Sequence, residues 1–318
     1  MAVAEVLPDA PDRVLVLRAL GLGDLLTGVP ALRALRRRFP CAQITLAAPA
    51  YLRDLTLLTG AVDDVLPTAG LGDVTDQDPP ALAVNLHGRG PQSIAHLRAL
   101  RPRAILTHRH HDHADVAGPP WQSDTHEVHR WCALLEWAGI DCDRGDLTIQ
   151  RPRGRPDRSG VVVVHPGASA PARRWPPERF ARVAAALHES GRHVVITGSV
   201  AERDLADRIA REAGLPPVAV LAGRLDLLDM VALIHDCGLL LCGDTGVGHL
   251  ATATGTPSVL LFGPTPPDRW GPPNDPRHIV LWTGDRGDPH ADRPDRGLLL
   301  IPVGRVIEAA TGLLADCA

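Results

Sequence analysis

The 318-residue chain contains no lysine, so all 33 basic side chains are arginine. Tyrosine occurs once, phenylalanine three times and methionine twice, against 30 glycines and 30 prolines, a balance that fits a GC-rich coding sequence. No stretch of about 18 uncharged apolar residues occurs, which excludes a conventional membrane-spanning helix. The opening residues, MAVAEVLPDAPDR, are acidic and lack the apolar core of an export signal, so a cytoplasmic location is expected. None of the six cysteines (Cys41, Cys132, Cys142, Cys237, Cys242 and Cys317) belongs to a Cys-x-x-Cys pair, so they read as buried or incidental thiols. The formal net charge of -4 argues against a protein that coats nucleic acid. What is present, 45% hydrophobic and 22% charged residues, is the composition of a globular protein with the length for two domains.

Short apolar runs alternate with segments of helical period through both halves. Residues 13–17 read as a buried strand, followed by a Gly-rich turn at Gly21–Gly23, a helix from about Leu25 to Arg38, and a second strand over about Gln43–Ala47. This β-α-β unit demands a parallel sheet covered on both faces. Further strands are expected near Val62–Leu66, Leu82–Leu86 and Ala104–Leu106. Residues 148–160, TIQRPRGRPDRSG, are rich in arginine and proline and read as a linker. A second series then begins at VVVVHPG. It continues with strands at His193–Thr197, Val218–Leu221, Leu239–Cys242 and Ser258–Phe262, and helices at Pro177–Ser190 and Ala201–Ala213. The expected architecture is α/β, with Rossmann-like domains over 1–152 and 153–318 whose parallel sheets face one another across a cleft at their carboxyl ends.

Three segments carry chemistry. In LRALGLGDLLTGVPALRAL (17–35) the third glycine of a dinucleotide fingerprint is missing, since Gly21 and Gly23 are followed by Leu26. Asp24 stands where the helix begins. It reads either as an N-cap or as a carboxylate able to accept a proton, though helix-end N–H groups favour its ionised form. In VVVVHPGASAPARRWPPERF (161–180), Arg173 and Arg174 lie between a strand's carboxyl end and a helix start, which suits a phosphate as well as a solvated surface. In CGDTGVGHLATATGTPSVLLFGPT (242–265), a strand runs into Gly243-Asp244-Thr245-Gly246 and a helix whose first N–H groups form an anion site. Asp244 repels phosphate and suits sugar hydroxyls, whereas His249 reads as a core histidine or as one that orients the loop.

Together these segments resemble the glycosyltransferase family 9 heptosyltransferases. The resemblance rests on Gly23-Asp24 with Pro30-Ala31-Leu32, on His165-Pro-Gly through Arg173-Arg174-Trp175-Pro176, and on Thr197-Gly-Ser with Glu202. Asp244-Thr-Gly through His249-Leu-Ala and Phe262-Gly-Pro-Thr265 complete it. It implies a GT-B fold and an inverting, metal-independent transfer of a heptose or related sugar from an ADP-sugar to an acceptor hydroxyl. It places the general base on Asp24 and the diphosphate cation, commonly a lysine in the family, on Arg173. Thr245, Gly246 and Val247 would hold phosphate through backbone N–H groups, with His249 beside them on the donor side. Asp244 would hold the donor sugar, Glu202 the ribose and Leu225 the adenine. The ADP-sugar is a substrate; no cofactor, metal or nucleic acid is implied.

The acceptor side is read from fewer residues. Eight of the 15 histidines lie between His87 and His129, most densely at His108–Asp115, expected to be a solvated acceptor-side loop. His87-Gly-Arg89 follows a strand end and resembles the family's acceptor-side glycine loop, making His87 and Arg89 acceptor candidates. Residues 1–150 hold 14 arginines against 18 acidic side chains, no cationic dock for a polyanionic glycolipid. The acceptor is thus either a glycolipid, met by a chain peripheral to the inner membrane face, or a soluble natural product such as an aminoglycoside. An NAD-dependent oxidoreductase and a non-catalytic nucleotide-sugar binder are the readings from other classes.

Overall fold

The apolar run Arg13–Leu17 forms β1, and it is central because Val14 through Leu17 are wholly buried, leaving no face for water. The protein is seen as a computed structural model that describes residues 7–72 and 78–316 and divides into two compact units, one ending at Ile149 and the other beginning at Gln150. In the first unit, β1 pairs in parallel with β2 (Gln43–Ala48) and, on its other edge, with β4 (Leu82–Asn85). β3 (Asp64–Pro67) and β5 (Ala104–Leu106) flank them, giving the order β3-β2-β1-β4-β5. Leu15 stands opposite Thr45 on one side and Ala83 on the other. Helices α1 (Leu22–Arg38), α2 (Arg53–Leu58), α3 (Gln92–Ala99) and α4 (Glu127–Trp137) surround the sheet. Helix α1 begins three residues earlier than its apolar period indicates, because Gly21, not Asp24, is its N-cap.

The second unit contains a sheet of order β10-β9-β8-β6-β7, again parallel: β6 (Val162–His165), β7 (Val194–Ile196), β8 (Leu239–Gly243), β9 (Ser258–Leu261) and β10 (His278–Leu281). Its helices are α5 (Pro177–Glu189), α6 (Arg203–Glu212), α7 (Leu227–Asp236), α8 (Gly246–Thr254), α9 (Pro267–Trp270), α10 (Arg296–Leu299) and α11 (Val303–Asp316). The strand expected at Val218–Leu221 is absent. Pro216 and Pro217, with φ fixed and no N–H to give, set a short 3-10 turn there, and only Val220 bridges to Ile196. The half-buried edge strand β10 follows a Pro/Asn/Asp-rich loop and was not anticipated. The arginines of the 148–160 segment fasten it to the second unit: Arg151 grips Asp236 at 2.7 Å through two nitrogens, and Arg155 reaches Asp226 and Asp229 at 2.8 Å each. Among the described residues, no helix is long and apolar enough to cross a membrane.

In each order the chain runs outward both ways from its first strand, so the neighbouring loops diverge at β1/β4 and at β6/β8. These divergence points are where open parallel sheets form crevices, and the chemistry-bearing segments emerge there.

Candidate functional site

In the first unit, the loop after β1 carries Arg18 and leads into α1, which carries Asp24. Asp24 is the third residue of α1, where its Oδ2 accepts the Gly21 N–H at 3.2 Å. It is therefore not the N-cap, and it makes only the back-bond of a capping box, since Gly21 has no side chain to reciprocate; that bond fixes the carboxylate over the helix start. Its side chain keeps 27% exposure, so the carboxylate is open to solvent. Burial pushes its pKa up, Arg18 pulls it down, and Glu127 raises it again, so the net direction is upward despite the helix N-terminus.

Behind Asp24 lies Arg18, whose side chain is fully buried. It donates to the carbonyls of Asp24 and Leu86, to Thr27 Oγ1 at 3.1 Å and to Glu127 Oε1 at 3.3 Å. Trp131 lies 5.0 Å from its guanidinium and donates its indole N–H to Glu127 at 2.8 Å. Tyr51, the single tyrosine, is 60% exposed overall, but partial burial of its hydroxyl and then the Asp24 carboxylate charge raise its pKa. Arg18, Glu127, Trp131 and Tyr51 were not foreseen. A charged residue closing the run VLVL was the one available signal for Arg18; Glu127 lies over 100 residues downstream and gives none.

The acceptor candidates divide. His87 is half-buried, with its pKa lowered by burial and then by Arg18, and its N–H is held by Asn85 Oδ1 at 3.1 Å. Arg89 is exposed. The histidine segment is not uniformly solvated: His108 is buried, its ring 5.0 Å from Trp121 and 5.8 Å from Trp131, because the loop after β5 turns inward over α4. Beyond it, ligand atoms of His110, His111 and Asp112 lie within 4.8 Å of one another, a cluster able to hold a metal ion. Four cysteines (Cys132, Cys142, Cys237 and Cys242) are buried and Cys41 is exposed, while Cys317 lies outside the described residues.

In the second unit, Trp175 anchors the segment after β6. It is 1% exposed, meets Phe180 edge-on at 5.1 Å and donates to the Ile301 carbonyl at 3.3 Å. Arg173 is thereby held beside the end of β8, where Gly243 lies so near that a Cβ would come within 2.9 Å of the Arg173 carbonyl. Arg173 donates to Ser169 Oγ and stands 3.9 Å from the Asp244 carboxylate, and its Nε has no partner among the described residues. Asp244 is buried, which raises its pKa, while Arg173 and the Thr265 hydroxyl pull it down. Thr245 is the N-cap of the nine-residue α8, and no side chain caps it, so the N–H groups at Gly246 and Val247 lack side-chain partners. A small pocket of about 10 Å³ lies here, lined by Asp244, Thr245, His249, Phe262 and Trp270 among others, with His249 and Trp270 edge to face at 5.9 Å.

The loops that carry Glu202, after β7, and Leu225, before α7, run side by side. Glu202 Oε2 accepts from the N–H and hydroxyl of Ser199 at 2.8 Å each, and its carboxylate lies over Gly167 of the His-Pro-Gly turn. The Leu225 loop is tied alongside by the Gly223 N–H to the Gly198 carbonyl at 3.0 Å. Arg173, Glu202, Leu225, Asp244 and the Thr245–Val247 run thus share the carboxyl edge of one sheet.

Comparison with known proteins points the same way. The model of glycosyltransferase family 9 (heptosyltransferase) matches residues 112–297. Lipopolysaccharide heptosyltransferase 3 of Escherichia coli is 36% identical over 175 residues, 52% of this chain and 51% of that protein. Lipopolysaccharide heptosyltransferase 2 of Salmonella typhimurium is 27% identical over 96% of this chain and 99% of its own. In the first matches the chain spans about half the length of the curated relatives, rising to 60% in one. The crystal structure of a family 9 glycosyl transferase from Veillonella parvula shares the fold with a TM-score of 0.80 at 22% identity, over 96% of this chain and 98% of that one. The two parallel five-stranded units are those of the GT-B fold, and with more than half of its length matched by the family model, the chain belongs to glycosyltransferase family 9, the heptosyltransferase family.

Proposed function

We propose that the chain transfers a heptose from ADP-heptose to an acceptor hydroxyl with inversion at the anomeric carbon. As the acceptor oxygen attacks, Asp24 takes its proton; the upward direction of its pKa makes it a better base than an ordinary aspartate. The bond to the diphosphate breaks, and the charge developing on departing ADP meets the Arg173 guanidinium and the N–H groups of Thr245, Gly246 and Val247. These dipoles are already oriented and need no reorganisation. Asp244 accepts hydrogen bonds from donor sugar hydroxyls, His249 walls the same cavity, Glu202 takes the ribose and Leu225 the adenine. His87 and Arg89 meet the acceptor.

The observation that carries this reading is the pairing of Arg173, with its unpartnered Nε, and the uncapped start of α8 beside buried Asp244. That combination suits a diphosphate joined to a polyhydroxylated group. The test is thermal stabilisation by ADP against UDP, GDP and NADH, followed by transfer from ADP-heptose. ADP alone should stabilise strongly, and Asp24→Ala should abolish transfer while leaving ADP affinity within about twofold. Equal stabilisation by all four ligands, or retained turnover in Asp24→Ala, would refute the assignments. A second reading concerns the acceptor: the acidic balance of residues 1–150 favours a neutral or cationic soluble glycoside over a phosphorylated glycolipid at the inner membrane face. Competition between an aminoglycoside and a lipopolysaccharide core oligosaccharide would decide it.

A further inference from the structure

Arg18 is buried against two carboxylates at once: its Nη2 stands 3.3 Å from Glu127 Oε1 and 3.8 Å from Asp24 Oδ1. Glu127 is itself held in place, since Trp131 donates to its Oε1 at 2.8 Å and Arg130 to its Oε2 at 3.1 Å. Room for this arrangement comes from Gly28, where a Cβ would lie 3.1 Å from the Arg18 side chain. We propose that Glu127, on α4, is a positioning residue for Asp24, acting through Arg18 by occupying the guanidinium so that Asp24 is not the sole counterion to a buried cation. The inference rests on Asp24 being the base.

The physical need is specific. A carboxylate at a helix start that faces an unshared buried guanidinium is stabilised as the anion, and such an anion is a poor proton acceptor. With Glu127 as permanent partner, the charge of Arg18 is divided between two anions. The groups facing Asp24 are Arg18 from the loop after β1, Glu127 from α4, Tyr51 after β2 and the Gly21 N–H of its own helix start. His87 faces Arg18 from the loop after β4, and Arg130 faces Glu127 from α4. Among these, Glu127 is the carboxylate that offsets Arg18.

The single tyrosine supplies a direct test on the full chain that requires no acceptor. Tyrosine labelled with ¹³C at Cζ gives one resonance, from Tyr51, whose shift with pH reports the ionisation of neighbouring Asp24. Asp24→Asn should abolish the acidic inflection and so identify it. In Glu127→Gln the inflection should move to lower pH, and transfer from ADP-heptose to a lipopolysaccharide core oligosaccharide should fall roughly tenfold. ADP affinity should be unchanged. Glu127→Asp, which keeps the charge, should restore the inflection toward its wild-type position. An inflection in Glu127→Gln that superposes on wild type overturns the inference. Should Glu127→Gln not fold, the same titration on Glu127→Asp, whose shorter side chain loosens the contact with Arg18, must give an inflection below wild type; one at or above wild type overturns the inference equally. Retained turnover in Asp24→Asn sinks the base assignment instead, an outcome the resonance titration keeps separate.

Discussion

His108 offers a quantitative check on the wall behind Asp24. Its ring is 4% exposed, wedged edge-on against Trp121 and Trp131, and its Nδ1 has no partner among the described residues. Burial, and after it the positive charge of Arg130, push its pKa from 6.5 down to about 4, with Glu127 opposing. The folded chain therefore refuses a proton that the unfolded chain binds between those two values. More protons on the unfolded state mean that stability rises with pH, so it is lost as pH falls from 6.5 toward 4. At 1.36 kcal/mol per unit, the loss across that interval is about 3 kcal/mol. His108→Phe keeps an aromatic ring between the tryptophans and removes the titration. Urea unfolding followed by tryptophan fluorescence at pH 7, 6, 5 and 4 would give the free energy of each form. Wild type minus variant should be flat above pH 7 and fall by about 3 kcal/mol toward pH 4. Parallel curves for the two proteins would show that His108 is not held neutral, and the packing argument for this wall would be wrong.

Other expectations concern the two half-sites. Arg173→Ala should weaken ADP binding by about 1.5–3 kcal/mol, roughly 10- to 150-fold, in calorimetry, as expected for lost charge-assisted hydrogen bonds. Arg173→Lys keeps the charge but not the planar fork, and near-wild-type affinity there would mean that charge alone suffices. Gly167→Ala places a Cβ 2.0 Å from Glu202 Oε1, so Glu202 must swing out and release Ser199. ADP affinity should drop by about 1 kcal/mol, roughly fivefold, with the fold retained on circular dichroism. Asp24→Asn should be more stable than wild type near pH 7. A carboxyl whose folded pKa lies above its unfolded value of 3.8 costs stability as pH rises through the folded value, so the advantage should shrink as pH falls toward 4. Melting temperatures across pH would reveal a variant that gains nothing.

Strands were legible where burial on both faces leaves an unbroken apolar run, as in Arg13–Leu17 and Val162–His165. They were not where proline competes: Val218–Leu221 has the apolar content of a strand, but Pro216 and Pro217 decide its backbone. Asp24, Arg173 and the Asp244–Val247 loop were visible because each sits in a short motif at a strand-to-helix turn. Their surroundings were not. Asp24 was read at the helix start, as an N-cap or a base, because the helix was read from the apolar period alone, whereas the Gly21 carbonyl, accepting from the Leu25 N–H at 3.0 Å, starts the helix three residues sooner. His108 was grouped with neighbouring histidines by sequence, yet burial separates it from exposed His111 a few residues on. The Arg18–Glu127 contact joins residues from opposite ends of the first unit, and local sequence carries no trace of such a pairing.

The absence of lysine has structural meaning at two positions. Arg18 sends N–H groups to the Asp24 and Leu86 carbonyls, to Thr27 and to Glu127 from one fully buried side chain. A lysine ammonium has three donors radiating from a point. It could not reach four acceptors spread around a planar fork, and at least one buried acceptor would lose its partner at a cost of about 1–3 kcal/mol. At position 173 the demand differs, because among the described residues Nε is unpartnered and the other nitrogens donate only to the Asp244 carbonyl and Ser169. On the proposed reading, the same residue type is a saturated structural hub in one unit and the diphosphate cation in the other. Substitution by lysine should therefore damage the fold around Arg18 and the ligand affinity at Arg173. A chain in which Arg18→Lys and Arg173→Lys lower the melting temperature equally would contradict that division of roles.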